Sequence, residues 1–461
     1  MTKLILIILC FTFSTLSPVF GSSNNSTINN IQIIYKEKPK KKTSDKNKLD
    51  RSKKSYWKKS NIIFHRFFRS SIYSDNNPAN LGINSPFYNF RIDLPSINLQ
   101  FTNKSISPQM IIDHFSTGEQ LSINAQNEVY SSLSNIQLLS QININPLRVE
   151  YSKFRFSSNL VTLVNGDFSG EILSIPFANL NLGSNYNQKL DVEMVSFLKN
   201  SIGIGHTYKT KFATLRGGIN YNYYKGLIYA KTIADTFNLT NNLDNVSTNI
   251  NLSVEGSELF WNSIEKNTID ETQLGELSNG FDIGFGINLK KLFRQNVDVE
   301  LIIQNIGASL TFKNAKKEIY SNGINVNNMI EFADSISLLS EGMDTVIINS
   351  DITIDIPRKT ILKATYQPIP QFVFTGGFEK YSSQFLSQQS KPNIHLRAGF
   401  FPTNWFHLSY GLKTNNEQIV QSIGTGFQSD KIDILLNISS YDGLLNSANG
   451  LGLGFRISFY L

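Results

Sequence analysis

The chain has 461 residues, 40% of them hydrophobic and 12% aromatic, with a formal net charge of +7 and a single cysteine. One cysteine excludes a disulfide scaffold and any Cys-based zinc or iron–sulfur centre. A mean hydropathy of −0.18 speaks against a helical membrane protein, which needs repeated apolar runs of about 20 residues.

Residues 1–21 read as a secretory signal peptide. Lys3 supplies the positive start, Leu4 to Leu16 the apolar run, and Val19 and Gly21 the small residues before cleavage. The apolar run would span about 20 Å as a helix, too short for a bilayer core. Cys10 lies inside it behind bulky Leu9, unlike a lipoprotein cleavage site, so a chain cut after Gly21 retains no cysteine. Export without cysteine fits a bacterial envelope protein better than a eukaryotic ectodomain.

Residues 22–60 read as a disordered tail, rich in Asn and Ser at first and basic afterwards. Between 36 and 69, fourteen Lys or Arg stand against Glu37, Asp45 and Asp50; the remaining mature chain carries 28 basic and 33 acidic residues. The basicity therefore belongs to the tail, and the body is mildly acidic. Nucleic acid is not an expected partner of an exported chain. Tyr56, Trp57, Phe64 and Phe67 interleave with the cations. That pattern suits either an amphipathic helix on an anionic lipid face or a solvated tail running into a packed segment. Residues 61–89 are expected to form a plug or hatch.

From 90 to 461 the apolar residues recur with period two. Leu451, Leu453, Phe455, Ile457, Phe459 and Leu461 alternate with Gly452, Gly454, Arg456, Ser458 and Tyr460. The stretches 432–439, 405–413, 281–290 and 213–223 repeat the pattern, and successive strand side chains point to opposite faces. Gly217-Gly218, Asn322-Gly323, Gln367-Pro368, Lys391-Pro392, Phe401-Pro402, Asn415-Asn416, Ser429-Asp430 and Asp442-Gly443 read as turns. Beyond residue 358 the strands run to about 10 residues with short connections, the length of a tilted strand crossing a bilayer. Residues 256–278 and 314–345 break the alternation and read as long loops or short helices, with helical spacing over Glu258–Ile264. The fold expected is all-β: a transmembrane antiparallel up-and-down β-barrel over 90–461, with about 14 strands (12–16) and a short N-terminal plug.

No enzyme is expected. His65, His114, His206, His395 and His407 lack metal-ligand spacing, and neither a nucleophile elbow nor a phosphate loop occurs, so no catalytic residue, metal or cofactor is assigned. Arg155, Arg216, Arg397 and Lys413 fall on polar strand faces and are candidate lumen cations; pairing with carboxylates of neighbouring strands is the plainer role for them.

Three motifs carry a resemblance. Gly452-x-Gly454-x-x-Ile457-x-Phe459, ending on Leu461, resembles the C-terminal assembly signal of bacterial outer-membrane barrels, except that Leu461 stands where an aromatic residue is usual. Asn77-Pro78-Ala79-Asn80-Leu81-Gly82 resembles the element that opens barrels of the FadL fatty-acid-transporter superfamily and its Bacteroidota relatives of the PorV and PorP/SprF types. The run Phe281–Leu289 followed by Val297–Phe312 is similar to a hairpin of an uncharacterised Bacteroidota outer-membrane family. The resemblance implies an outer-membrane barrel in contact with lipid and the barrel assembly machinery. It would have an N-terminal hatch and an apolar patch in a polar lumen, with a basic residue to meet a carboxylate. Hydrophobic or small amphipathic solutes would pass through it. The alternative is a non-transporting partner barrel of a secretion or gliding apparatus, with the basic tail docking a periplasmic partner. The tail itself departs from FadL-like proteins.

Overall fold

The computed structural model describes residues 77–82, 89–103, 136–168, 184–187, 189–241, 246–265, 274–292, 295–326, 344–386, 390–403, 405–415, 418–429, 431–443 and 448–461. The leader, the basic tail and residues 61–76 and 83–88 of the expected plug lie outside the described residues.

In chain order the first strands are β1 (Phe90–Asn103), β2 (Ile136–Tyr151), β3 (Phe154–Phe168), β4 (Ser184–Asn187), β5 (Leu190–Lys209), β6 (Ala213–Asn241) and β7 (Val246–Gly256). Helix α1 (Glu258–Glu265) follows, then β8 (Leu277–Leu292), β9 (Gln295–Ile306), β10 (Ser309–Val326) and β11 (Asp344–Asp355). The last seven are β12 (Lys359–Ile369), β13 (Phe372–Tyr381), β14 (Asn393–Phe400), β15 (Phe406–Asn415), β16 (Gln418–Gln428), β17 (Ile432–Tyr441) and β18 (Gly450–Tyr460). Fourteen of these close an antiparallel ring. The sequence neighbours pair, except that β3 pairs with β5, β6 with β8, and β9 with β12; β18 returns to β1. Closure matters because it leaves no open sheet edge in the ring, the condition for a sheet to cross hydrocarbon.

The faces are inverted relative to a water-soluble barrel. On β18, Leu451 and Leu453 are 52% and 43% exposed, whereas Arg456 and Ser458 are buried. The same holds around the ring: Phe156, Ile204, Phe285, Phe374, Ile423 and Ile438 face outward, while Arg155, Asp282, Glu300 and Thr365 are buried inside. Water would select the opposite arrangement, so the outer surface is matched to lipid and the barrel is transmembrane. Among the described residues no helix is long and apolar enough to cross a membrane.

The two ends differ. At the end holding both termini of the sheet, two residues join β12 to β13 and three join β5 to β6, whereas at the other 32 residues separate β1 from β2. We refer to these as the turn end and the loop end. At the loop end β6 outruns the ring: Ala213–Lys225 pair with β8, and Ala230–Asn241 pair instead with β7. Strand β7 pairs with β10, and β10 with β11, so the excursions between β6 and β8 and between β9 and β12 form one sheet. Helix α1 braces it, Trp261 Nε1 donating to the Lys316 carbonyl at 2.9 Å.

Three sequence readings are corrected here. The break expected over 314–345 does not hold for its first part, because β10 continues to Val326 against β7, and Asn322-Gly323 lies inside that strand. Gly217-Gly218 lies inside β6 rather than at a turn. Gln367-Pro368 belongs to the last residues of β12, where the pairing with β13 shifts register, and the turn follows at 370–371.

Candidate functional site: the lumen

The described part of the N-terminal segment sits inside the ring. Residues Pro78–Gly82 form one turn of 3-10 helix. Pro78 lacks a backbone N–H and starts it without loss, and the Asn77 Oδ1 accepts from the Ala79 N–H at 3.0 Å as its cap. Asn77, Ala79 and Leu81 are buried against β5, β6 and β8. Two paired glycines make the seat, Gly218 on β6 and Gly284 on β8. A Cβ at Gly218 would lie 2.3 Å from the Pro78 carbonyl oxygen, and one at Gly284 would lie 1.9 Å from the Asn77 Oδ1. The glycine that reads as a turn signal is thus there for close approach. Gly203 faces Leu81 in the same way, a Cβ there falling 3.1 Å from its Cδ1. Asn77 Nδ2 donates to Glu300 Oε1 at 2.9 Å, tying the segment to β9. Asn77, Pro78, Ala79 and Leu81 therefore dock, and Gly82 ends the helix.

All four candidate lumen cations point inward, and the structure names their partners. Arg216 grips Asp298 through two bonds, at 2.6 and 2.8 Å, and approaches Glu300 at 3.7 Å. Arg155 pairs with Glu150 at 2.8 Å, Lys413 with Glu379 at 2.5 Å, and Arg397 Nη2 donates to Ser409 Oγ at 2.7 Å. The pairs join into wider groups. Lys363 also holds Glu300, so the cluster that anchors Asn77 contains two cations and two carboxylates. Near the ring closure Arg91 and Arg148 flank Asp93 and Glu150. Lys199 bonds Asp282 at 3.1 Å, and Lys359 shares Glu379 with Lys413, at 2.7 Å. Burial of this many charges is tolerable only because each has a partner of opposite sign or a polar neighbour. Sequence reasoning overlooked Glu150, Asp298, Glu300, Glu379, Lys359 and Lys363. Each occupies the polar parity of an alternating strand, which is the signal that would have found them.

Above the docked segment the lumen opens into a cavity of about 380 Å³. Its walls mix polar and apolar side chains, and Leu163, Phe197, Ile356 and Phe385 bring an apolar shelf into it from the loop end. Lys199 and Lys359 line the same space. His395 joins them, whereas His407 is buried on the wall, stacked on Phe401 at 5.2 Å. Among the described residues no His, Asp or Glu cluster is arranged to hold a metal ion.

One place in the wall is weakly knitted. Strands β1 and β2 pair at Asp93–Arg148 and next at Ser96–Asn145, so Leu94-Pro95 and Pro146-Leu147 fall between the two registers. The two prolines lack the N–H needed for a ladder bond, and all four residues are exposed on the outer face. The C-terminal motif lies on the other side of β1. Gly454 faces inward; Ile457 and Phe459 face outward, opposite Leu94 and Ile92; the Leu461 carbonyl accepts from the Phe90 N–H at 3.2 Å.

A family model described as a family of unknown function, DUF5723, matches residues 82–432. No curated protein matches. Among solved structures, the Pseudomonas putida toluene transporter TodX aligns at a TM-score of 0.42 and 10% identity, over 84% of this chain and 93% of its own. A FadL homologue of Pseudomonas aeruginosa aligns at 0.38 and 10% identity, over 83% and 92%. The CymD monoaromatic hydrocarbon channel aligns at 0.38 and 6% identity, over 84% and 91%.

Proposed function

The chain belongs to the DUF5723 family, and we propose that it is a bacterial outer-membrane barrel that passes hydrophobic or small amphipathic solutes. The observation that carries this reading is the apolar shelf of Leu163, Phe197, Ile356 and Phe385 set against charged and polar side chains around one cavity. A barrel filled only for stability needs paired polar side chains across its interior. Apolar side chains bordering a cavity of about 380 Å³ instead offer binding surface to a ligand with an apolar part. Short turns at one end and long connections at the other match the periplasmic and external sides of such barrels, which puts the shelf toward the outside. The segment 77–82 then stands between the cavity and the periplasmic end, and the Pro95–Pro146 gap offers a side exit to the bilayer.

The test is uptake into proteoliposomes of a small aromatic carboxylate and of a neutral aromatic solute, against protein-free vesicles. Facilitated uptake that falls several-fold in a Phe197→Ala, Phe385→Ala double variant supports the reading. Uptake equal to that of protein-free vesicles overturns it.

A further inference from the structure

The cations of the turn end gather on one side of the ring. Three connections follow one another there, 152–153, 210–212 and 293–294, because β3 pairs with β5 and β6 with β8. With the ends of β5 and β8 they bring Lys153, Lys209, Lys211, Lys290, Lys291 and Arg294 to this arc and no acidic side chain. The nearest carboxylate at the end of β2, Glu150, is buried and held by Arg148 and Arg155. The connections on the other side, 370–371, 401–405 and 429–431, contain only Asp430 and Lys431 as charged residues.

Within the arc, Lys153 Nζ donates to His206 Nδ1 at 3.1 Å. His206 shares the outward parity of Ile202, Ile204 and Tyr208, so this contact lies on the face turned to lipid. Among the described residues no carboxylate lies within ion-pair distance of Lys153, Lys209 or Lys211. Toward the bilayer the wall is apolar: Phe154 pairs with Ile204 and Phe156 with Ile202, all of them exposed. On the other flank His206 pairs with Gly217, which pairs with Phe285. A Cβ at Gly217 would meet nothing within 4 Å, so a notch opens in the outer face beside His206.

We propose that this arc is a binding site for an anionic glycerophospholipid of the leaflet at the turn end. The lipid phosphate sits on Lys153 and His206, with Lys209 and Lys211 adding charge from the next turn. Its acyl chains lie along Phe154, Ile204 and the notch at Gly217. An ammonium on a lipid-facing surface is costly in hydrocarbon and favourable at the interface, where it meets headgroup phosphate. Tyr151, Tyr208 and Phe212, strongly exposed around the same turns, mark that level as the interface. The acidic surface of a soluble partner would also suit the lysines, but it would not reach a histidine and a notch that face sideways into the bilayer. The inference does not depend on whether a solute passes the lumen.

The experiment compares two single-tryptophan forms of the full chain in phosphatidylcholine vesicles that contain brominated phosphatidylglycerol or brominated phosphatidylcholine. Both carry Trp57→Phe and Trp261→Phe. One keeps Trp405, exposed on the side of the ring away from the arc; the other has Trp405→Phe with Tyr208→Trp. Bromine quenches a tryptophan that it touches, so the ratio of the two quenching strengths reads the local lipid preference. The expected ratio is about five at position 208 and about one at position 405. Lys153→Ser with Lys209→Ser and Lys211→Ser should bring the first to about one, while arginine at the same three positions should preserve it. If the serine variant fails to fold, about 1 M salt decides instead, since it cuts the screening length to about 3 Å and should lower the ratio at 208 alone. Equal ratios at the two positions, or a preference that survives loss of the three lysines, overturns the proposal. So does a preference abolished when inorganic phosphate replaces chloride at constant ionic strength, which would make this a site for free phosphate.

Discussion

Replacing Gly218 by alanine should release the segment 77–82 from the wall while leaving the barrel intact. The new methyl would lie 2.3 Å from the Pro78 carbonyl oxygen, 2.4 Å from its carbon and 2.7 Å from the Ala79 nitrogen. All three are backbone atoms, so no rotamer change relieves the overlap. Overpacking of this kind costs about 1–3 kcal/mol. It opposes a docking held by burial of Leu81, about 2 kcal/mol, and by the Asn77–Glu300 bond to a charged acceptor, about 1.5–3 kcal/mol before ordering costs. A net shift of about 2 kcal/mol raises the undocked fraction roughly 30-fold. The neighbouring Gly217 is the matched control, because a Cβ there meets nothing within 4 Å. The assay is maleimide labelling of Leu81→Cys in a Cys10→Ser background, since Cys10 is the chain's one native thiol. Labelling should rise strongly with Gly218→Ala and stay unchanged with Gly217→Ala, the folded barrel being verified by its unheated gel mobility. Equal labelling in the two variants would refute the glycine seat.

Glu300→Gln should destabilise the barrel by about 3 kcal/mol or more, because it leaves Lys363 and Arg216 short of a buried counter-charge and weakens the hold on Asn77; an unchanged temperature for the loss of folded gel mobility would count against that cluster. Phe374→Arg places a charge on the outer face, where Phe374 is 44% exposed, and should cost about 2–4 kcal/mol if that site is near the bilayer midplane. The inward neighbour Thr375→Asn should cost little, and comparable losses for both in refolding titrations would contradict the assigned faces. Leu94→Cys with Leu147→Cys, bridged by a short thiol crosslinker, should slow solute uptake and recover with a cleavable reagent after reduction. Full uptake in the bridged protein would remove the Pro95–Pro146 gap from the route.

Much of this architecture is legible in period-two alternation, since a residue's face depends only on its parity along one strand. Leu451 out and Arg456 in follow from that alone, and so does the inward direction of Arg155, Arg216, Arg397 and Lys413. What parity cannot supply is the neighbour across the sheet. Asp298 meets Arg216 across 82 residues of chain, and Asn77 meets Glu300 across 223, so no local window contains either pair. Glycine is ambiguous for a related reason. Gly217-Gly218 has the composition of a turn, and only the packing of Pro78 against the second glycine shows that the missing Cβ serves a contact rather than a bend. Net charge is the most misleading of these sequence quantities. The +7 of the whole chain is set by the N-terminal tail, the body beyond it is mildly acidic, and inside that body the buried charges meet in pairs, as Arg216 meets Asp298 and Lys363 meets Glu300. Charge acts over about 8–10 Å in salt, so the composition of the tail says nothing of which charges meet inside the barrel.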